Sequence, residues 1–274
     1  MISDVDGCLL DLHTYRAGPA RPVLRRLRRH RVPVVLCTTK TRAEVRALGR
    51  ELGGGPYVAI IEDGGGIFVP RGVLPALRLA GARRVRAGRL VTLAPEYTRI
   101  RRVFAQVRRH TAGAALGFGD MTVAEVAAVT GLAPDAARRA RRREFDEPFL
   151  YRTDERRYAR RVARLVARHG LVVTRGGRLW HLHGLTDKGL ATRRVRELLQ
   201  GVHGALTIIA LGDSPLDAPL LAAADLPIIV PQPGGSPDPR LRRRLPRARI
   251  APAPGPAGWA RAVTRAVREL GVSG

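Results

Sequence analysis

Residues 32–52 read VPVVLCTTKTRAEVRALGREL, and this stretch indicates the class of fold. Its first part, Val32–Cys37, is a continuous apolar run of the kind found in strands buried on both faces of a parallel sheet. Its second part, Thr41–Leu52, predicts a helix that ends at the glycine at position 53. The polar segment 38–40 lies between the two, at the carboxyl end of the strand, where open α/β sheets bind ligands.

Alternation of strands and helices extends in both directions from this unit. Buried strands are expected at Val58–Ile61 and at Leu206–Leu211. The middle of the chain mixes strands and helices without that alternation. We therefore predict an α/β fold, with a mainly parallel, Rossmann-like core built from residues 1–78 and 185–274 and an inserted α+β domain at 79–184.

The composition excludes several classes of protein. Hydrophobic residues make up 45% of the 274, which is enough apolar surface for a packed core and excludes a disordered chain. Two cysteines exclude a disulfide scaffold. No stretch approaches the roughly 18–20 apolar residues of a membrane span, and the aspartate at position 4 is unlike a signal peptide. We expect a soluble protein of a reducing compartment, with no membrane partner.

The formal net charge of +26 suggests a nucleic-acid partner, and the arginine runs Arg25–Arg31, Arg138–Arg143 and Arg240–Arg249 would serve it. However, only two of the 49 basic residues are lysine and asparagine is absent, a bias that a GC-rich gene would produce. Aromatic residues, at 4%, do not interleave with the runs, which disfavours base stacking. We expect a solvated arginine surface and no specific nucleic-acid partner, with nucleic-acid binding as the alternative.

Two acidic residues follow the first apolar strand in the segment Asp4-Val5-Asp6-Gly7. One carboxylate of such a pair can act as nucleophile and metal ligand while the other acts as general acid and base. An ordinary Asp-Gly turn is the alternative interpretation of this segment alone. After the second strand, the Thr38 hydroxyl would suit phosphate oxygens, although a threonine here could simply cap the following helix.

Two further segments complete the pattern. Asp187-Lys188-Gly189 opens a helix, and in a chain that otherwise uses arginine this lysine indicates a point charge for a phosphoryl group. In Gly212-Asp213-Ser214-Pro215-Leu216-Asp217, two carboxylates beside a glycine turn could hold Mg²⁺ or merely cap a helix. Together the segments supply what aspartyl-phosphate chemistry needs: a carboxylate nucleophile, a proton donor, cations and Mg²⁺.

This ordered set resembles the haloacid dehalogenase-like (HAD) phosphohydrolases, and the insertion resembles the cap of their α/β-capped sugar phosphatases. Finer similarity, also within the insertion, is to the mannosyl-3-phosphoglycerate phosphatase family. It is carried by LCTTKTRAEV (36–45), IIEDGGGIFVP (60–70), GFGDMTVAEVAAVTGL (117–132), RREFDEPF (142–149), RLWHLHGLTDKG (178–189) and ALGDSPLDAPLL (210–221).

The resemblance implies a Mg²⁺-dependent phosphatase that converts mannosyl-3-phosphoglycerate to mannosylglycerate, a compatible solute made in the cytoplasm. The insertion would be a cap that selects the substrate. Glucosyl-3-phosphoglycerate or another sugar phosphate is the alternative substrate. By the same resemblance, Asp4 is the nucleophile and Asp6 the general acid and base. Thr38 and Lys188 would hold the phosphoryl group. Mg²⁺ would bind to Asp4, Asp213 and the main-chain carbonyl of Asp6, with Asp217 in support.

A substrate with a phosphate, a carboxylate and a sugar should contact cations, carboxylates and imidazoles. The candidates are Thr39, Lys40, Glu62, Asp63, Gly64, Arg143, Glu144, Arg178 and His183. His181 is expected to face solvent, on the strand face opposite Arg178. Asp63 and Leu216 stand where the family usually has asparagine, and Asp63 would bring a negative charge towards an anionic substrate.

Overall fold

The computed structural model describes residues 1–53, 55–75, 79 and 81–271. The strands are β1 (Ile2–Asp4), β2 (Val35–Cys37), β3 (Val58–Ile61), β4 (Gly66–Pro70), β5 (Arg83–Val85), β6 (Gly88–Thr92), β7 (Ala115–Gly117), β8 (Asp146–Tyr151), β9 (Leu171–Gly176), β10 (Leu179–Gly184), β11 (Ile209–Gly212), β12 (Leu226–Ile229) and β13 (Arg249–Ile250). The helices are α1 (Ala20–Arg29), α2 (Arg42–Leu52), α3 (Tyr97–His110), α4 (Val123–Thr130), α5 (Pro134–Ala140), α6 (Ala159–Ala167), α7 (Lys188–His203), α8 (Ala218–Ala222), α9 (Pro239–Arg244) and α10 (Gly255–Glu269).

The larger sheet has, within the described residues, nine strands in the order β13-β12-β11-β1-β2-β3-β4-β6-β5. The strands from β13 to β3 run parallel, and β4, β6 and β5 extend the sheet antiparallel. Although β1 has only three residues, it pairs with β11 on one side and β2 on the other. The carboxyl ends of these three strands meet at one edge of the sheet. The predicted α/β fold with a mainly parallel sheet is confirmed.

Apolar side chains fill both faces of this sheet, as expected for strands covered on two sides. Leu36 and Leu211 belong to one buried cluster together with Trp259 of α10. Ile60 belongs to the cluster on the other face, together with Val195 of α7. The two layers hold the strand ends rigidly, so the side chains that follow them are positioned by the core.

The outward arginines of α1 show where much of the positive charge lies. The helix buries Ala20, Leu24 and Leu27, and its arginines lie on the remaining, exposed or half-buried faces. This is the solvated arrangement that the apolar spacing predicts. In the part of the chain that the structure describes, no helix is long and apolar enough to cross a membrane.

The smaller sheet is antiparallel, in the order β7-β8-β10-β9. Helices α3 and α6 pack on one face of it through Phe104 and Val162, which join Phe149 and Leu182 of the sheet in a separate apolar cluster. This sheet and its helices form the mixed α+β part of the chain that the sequence placed in the insertion.

The start of the inserted domain was expected at residue 79. The expected boundary between residues 78 and 79 adjoins residues 76–78 and 80, which lie outside the described part of the chain. The strand expected at 87–93 is β6, and with β5 it pairs onto the larger sheet through β4. The predicted division stays a prediction, and from this pairing we propose that the insertion begins only after Thr92. Strands β4, β5, β7, β9 and β13 were not anticipated, because they are short or end in glycine-rich turns.

Candidate active site

The carboxyl end of β1 carries Asp4, which is buried where β1, β2 and β11 meet. The chain then turns through Gly7, which adopts a φ of +77°. A Cβ at this position would lie 2.7 Å from Oδ2 of Asp213, so glycine is required for the first loop to approach the loop after β11. The Asp-Gly turn is therefore present, and it brings two acidic loops together.

Three carboxylates converge at this point. Asp4, Asp213 and Asp217 each offer one oxygen, and these oxygens lie within 4.8 Å of one another. Oδ2 of Asp217 accepts hydrogen bonds from the main-chain N–H groups of Asp213 and Ser214, at 3.1 and 3.0 Å, and so shapes the loop. The Asp6 carboxylate lies outside this cluster, and the predicted metal contact through its main-chain carbonyl stays a prediction.

Lys188 supplies the positive charge of the cluster. It is the first residue of α7, its side chain is only 3% exposed, and its Nζ donates to Oδ1 of Asp4 at 2.7 Å and to Oδ1 of Asp217 at 2.6 Å. The helix start is stabilised by Asp187, whose side chain accepts a hydrogen bond from the N–H of Leu190. The lysine singled out in the sequence thus lies among the acidic segments.

The cluster carries more negative than positive charge, and its pKa values reflect this. Burial and the Asp217 carboxylate raise the pKa of Asp4 well above its usual value, although Lys188 lowers it. Burial and Asp217 likewise raise the pKa of Asp213 to about 7. Burial alone would lower the pKa of Lys188, but Asp217 and Asp4 raise it well above the usual value. The ammonium is therefore charged, and the site favours a further positive charge.

The segment after β2 places Thr38 and Lys40 beside the acidic pair. Thr38 is buried, and its Oγ1 accepts a hydrogen bond from the N–H of Lys40. The Lys40 Nζ lies 2.8 Å from Oδ2 of Asp6. The helix cap is Thr41, which forms a capping box with Glu44. Among the described residues none accepts a hydrogen bond from the Thr38 hydroxyl, which leaves its proton for a ligand.

The turn 62–64 after β3 brings Asp63 towards the cluster. Glu62, Asp63 and Gly64 all have positive φ angles, of 48°, 53° and 94°. At Gly64 a Cβ would lie 2.3 Å from the carbonyl oxygen of Asp187, so glycine is needed where this turn touches the start of α7. Oδ1 of Asp63 lies 4.0 Å from the Nζ of Lys188 and has no hydrogen-bond partner within the described chain. A half-buried carboxylate thus lies beside the lysine.

Glu62 and Glu144, two predicted substrate contacts, are engaged within the protein. The Glu62 carboxylate accepts hydrogen bonds from the N–H groups of Glu144 and Phe145, at 3.0 and 2.8 Å. Burial raises the pKa of Glu62 to about 7, against the opposing effects of Arg143 and these N–H groups. Glu144 itself pairs with Arg42 of α2 at 2.8 Å. The two glutamates join the larger sheet's loops to the segment before β8, and their contact with substrate stays a prediction.

Arg143 belongs to the same junction and leads to a histidine that the sequence analysis misjudged. Its guanidinium donates to the carbonyl oxygen of Thr39 at 3.2 Å and also pairs with Asp146. Asp146 in turn bonds Nδ1 of His181 at 2.8 Å. The expectation that His181 faces solvent is wrong, because it is only 9% exposed. Its face of the smaller sheet lies against loops of the larger sheet instead of open water.

The other two predicted contacts from this hairpin are His183 and Arg178, and their contact with substrate stays a prediction. Both ring nitrogens of His183 are occupied, Nε2 by Thr174 Oγ1 at 3.0 Å and Nδ1 by the carbonyl oxygen of Gly184 at 2.9 Å. Arg178 is exposed on the turn between β9 and β10.

Two polar contacts were missed by the sequence analysis: Asp146, and Gln232, which donates to Oδ2 of Asp213 at 3.1 Å. Strand alternation could have suggested the first, since Asp146 lies opposite His183 in the sheet. No local signal marks the second.

Comparisons with known proteins agree with this geometry. No protein-family model matches the chain. The glucosyl-3-phosphoglycerate/mannosyl-3-phosphoglycerate phosphatase of Methanococcoides burtonii is 37% identical over 264 residues, covering 96% of this chain and 95% of that protein. The protein of the same name from Persephonella marina is 31% identical over 280 residues, covering 98% of this chain and 97% of its own.

Solved structures of similar fold include a haloacid dehalogenase-like hydrolase from Bacteroides thetaiotaomicron, with a TM-score of 0.69, 14% identity and coverage of 97% of this chain and 98% of that one. A HAD-superfamily phosphatase from the same organism has a TM-score of 0.65 at 17% identity, covering 99% and 94%. A sugar phosphatase of HAD subclass IIB has a TM-score of 0.63 at 11% identity, covering 99% and 98%. At these identities the likeness establishes the fold alone.

Proposed function

The chain belongs to the family of the glucosyl-3-phosphoglycerate/mannosyl-3-phosphoglycerate phosphatases, which are phosphoric monoester hydrolases of the HAD superfamily, and on this premise we propose that it hydrolyses mannosyl-3-phosphoglycerate. The products would be phosphate and mannosylglycerate, a compatible solute of the cytoplasm. The observation that carries the proposal is the Lys188 ammonium between Asp4 and Asp217, with Asp213 beside them.

The carboxylate cluster fits a divalent cation. Its converging donor atoms are all oxygens, they belong to buried side chains, and Lys188 leaves part of their negative charge uncompensated. Hard cations such as Mg²⁺ prefer this kind of donor set. We assign the metal contacts to Asp4, Asp213 and the main-chain carbonyl of Asp6, with Asp217 in support. Bound Mg²⁺ would neutralise charge on the transferring phosphoryl group.

In the first step, a carboxylate oxygen of Asp4 attacks phosphorus, and the bond from phosphorus to the substrate oxygen breaks. Lys188 and the Thr38 hydroxyl hold the phosphoryl oxygens. Asp6 gives its proton to the departing oxygen. The carboxylate that remains is stabilised by Lys40, whose ammonium lies 2.8 Å away.

In the second step, water attacks the phosphorus of the aspartyl phosphate. Asp6 takes a proton from that water, the bond between phosphorus and the Asp4 oxygen breaks, and phosphate leaves. Asp4 regains its carboxylate and Asp6 its proton, so the residues return to their starting state.

The inserted domain would act as a cap that chooses the substrate. The Arg143 contact with Thr39 and the Glu62 contacts with Glu144 and Phe145 place the segment before β8 against the loops that carry the site. A cap so placed can exclude water and present substrate-binding groups from above the strand ends. A second substrate, glucosyl-3-phosphoglycerate, is favoured by the curated relatives, whose names include both compounds.

The test is phosphate release by the purified chain from mannosyl-3-phosphoglycerate, with Mg²⁺ and with EDTA. Parallel reactions contain glucosyl-3-phosphoglycerate, mannose 6-phosphate and 3-phosphoglycerate. We expect rapid, Mg²⁺-dependent release from the glycosyl-phosphoglycerates alone, and its loss in Asp4→Asn. Equal release from all four compounds would contradict the substrate assignment. Release that persists in a folded Asp4→Asn variant would contradict the mechanism.

A further inference from the structure

The side chain of His181 presents a nitrogen to the space between the two sheets. Its Nδ1 is held by Asp146 at 2.8 Å, whereas its Nε2 has no hydrogen-bond partner in the described part of the chain. The ring lies beside Gly176, where an added Cβ would meet Nε2 at 3.2 Å and the Leu216 side chain at 3.7 Å. Leu216 belongs to the loop that carries Asp213 and Asp217, so this edge of the ring lies close to that loop.

The network behind His181 fixes both its position and its charge. Asp146 accepts the Nδ1 proton and also pairs with Arg143, which is buried and bonded to the carbonyl oxygen of Thr39. Burial by itself lowers the pKa of His181, but Asp146 and Asp63 raise it above its usual value. With Nδ1–H directed at a carboxylate, the protonated ring has one remaining donor, Nε2–H, and a positive charge.

The other cations near the strand ends already have partners. Lys188 binds Asp4 and Asp217, and Lys40 binds Asp6. Arg143 is enclosed by Asp146, Glu62 and the Thr39 carbonyl. His181 is therefore a pre-positioned cation with an unused donor, and holding it in place costs little entropy when a ligand binds.

We propose that His181 binds the carboxylate of the glycerate part of the substrate through Nε2, and so selects phosphate esters whose leaving group is anionic. This inference rests on the proposed function. A site built around a hydrogen-bonded charge rejects a substrate that lacks the matching group much more strongly than an apolar pocket can. Arg178, exposed on the turn of the same hairpin, is the competing cation.

The test compares two substrates, mannosyl-3-phosphoglycerate and the analogue whose carboxylate is replaced by a primary alcohol. Where the analogue turns over too slowly, its affinity is measured as a competitive inhibitor. His181→Asn is the main variant, because the asparagine amide can still donate to Asp146 while the Nε2 donor is lost. We expect its kcat/KM for the carboxylate substrate to fall about 10- to 100-fold, mainly through KM, with less than about a 3-fold change for the analogue.

The matched control is His169→Asn, at a histidine that is not a candidate substrate contact and whose Nε2 bonds to Oε1 of Gln106. It should leave the ratio between the two substrates unchanged. Unfolding curves confirm that the variants fold, and His181→Ala, which also removes the Nε2 donor, replaces His181→Asn if the latter does not fold. Equal losses on both substrates in the His181 variant would overturn the inference, as would a loss of discrimination confined to Arg178→Gln. Absence of phosphate release by the unaltered chain would instead overturn the proposed function, and this inference with it.

Discussion

Replacing Lys188 by methionine tests whether one ammonium holds the acidic cluster together. The substitution keeps the length of the side chain and removes its charge. In the folded protein Lys188 is 3% exposed, and its partners Asp4 and Asp217 are 10% and 1% exposed. The variant would therefore leave the carboxylates of Asp4, Asp213 and Asp217 with no hydrogen bond from a positive side chain in the described part of the protein.

The expected loss follows from these contacts. Removing one partner of a buried ion pair typically costs about 3–5 kcal/mol, because the remaining charge stays buried. Two charge-assisted hydrogen bonds, at about 1.5–3 kcal/mol each, give a similar range. Protonation of one of the three carboxylates can relieve part of this cost, since a shift of one unit in its pKa corresponds to about 1.4 kcal/mol. We therefore expect the free energy of unfolding at neutral pH to fall by about 3–5 kcal/mol, and phosphate release to fall about 10²- to 10³-fold.

The assay is urea unfolding followed by circular dichroism in the presence of EDTA, with phosphate release measured separately in Mg²⁺. Lys40→Met is the matched control, since it is the same substitution at the chain's other lysine. Lys40 bonds one carboxylate, Asp6, and the two side chains are 17% and 28% exposed, so its loss should be about 0–1 kcal/mol. Equal destabilisation by the two variants, or a loss below about 1 kcal/mol for Lys188→Met, would refute the reasoning.

Three further predictions follow from the same contacts. Asp63→Asn removes a half-buried carboxylate 4.0 Å from Lys188 and should lower KM for the phosphorylated substrate about 3- to 10-fold in steady-state kinetics; an unchanged KM would contradict this. Glu62→Gln weakens the acceptor of the Glu144 and Phe145 N–H groups and should cost about 1–3 kcal/mol in urea unfolding, whereas a cost near zero would show that this junction is dispensable. In EDTA, Asp213 and Glu62 have folded-state pKa values raised to about 7. The folded state then binds protons more tightly than the unfolded chain, so the free energy of unfolding should fall as pH rises from about 4 to 8. Mg²⁺ should reduce the Asp213 part of that fall, and should not do so in Asp213→Asn.

The local chemistry of this protein could be predicted well from its sequence. The helix predicted at 41–52 is α2, which Thr41 caps at its start in a capping box with Glu44 and which Gly53 caps at its end. These features depend on residues three or four positions apart, so a short window contains all the atoms involved. The strand-end placement of Asp4 and Asp213 was predictable for a related reason, since continuous apolar runs mark buried strands and the polar residues that follow them must lie at strand ends.

The partners of those residues could not be predicted in the same way. The sequence shows that Lys188 is unusual, but the pairing with Asp4 spans 184 positions and exists only because β1 lies beside β11 and near the start of α7. Residue type marked Glu62 as a candidate substrate contact, but it could not show that the Glu62 carboxylate accepts hydrogen bonds from the N–H groups of residues 144 and 145. Contacts between distant segments depend on how the elements pack, and residue type alone leaves many such pairings open.

By itself, then, the sequence determined the buried strands of the core and the capped helix over 41–52, because propensity, capping and apolar patterning act over a few residues. It also marked the candidate residues for phosphatase chemistry. Only the tertiary structure decided which of those residues are free to meet a ligand. Strand alternation places His181 and His183 on one face of the strand, yet it cannot show what covers that face. Packing of the smaller sheet against the core loops buries both rings and bonds both nitrogens of His183 internally, and among the described residues it leaves Nε2 of His181 without a hydrogen-bond partner. Burial and hydrogen bonding are properties of the assembled chain, and these two properties set the charge and the availability of a side chain.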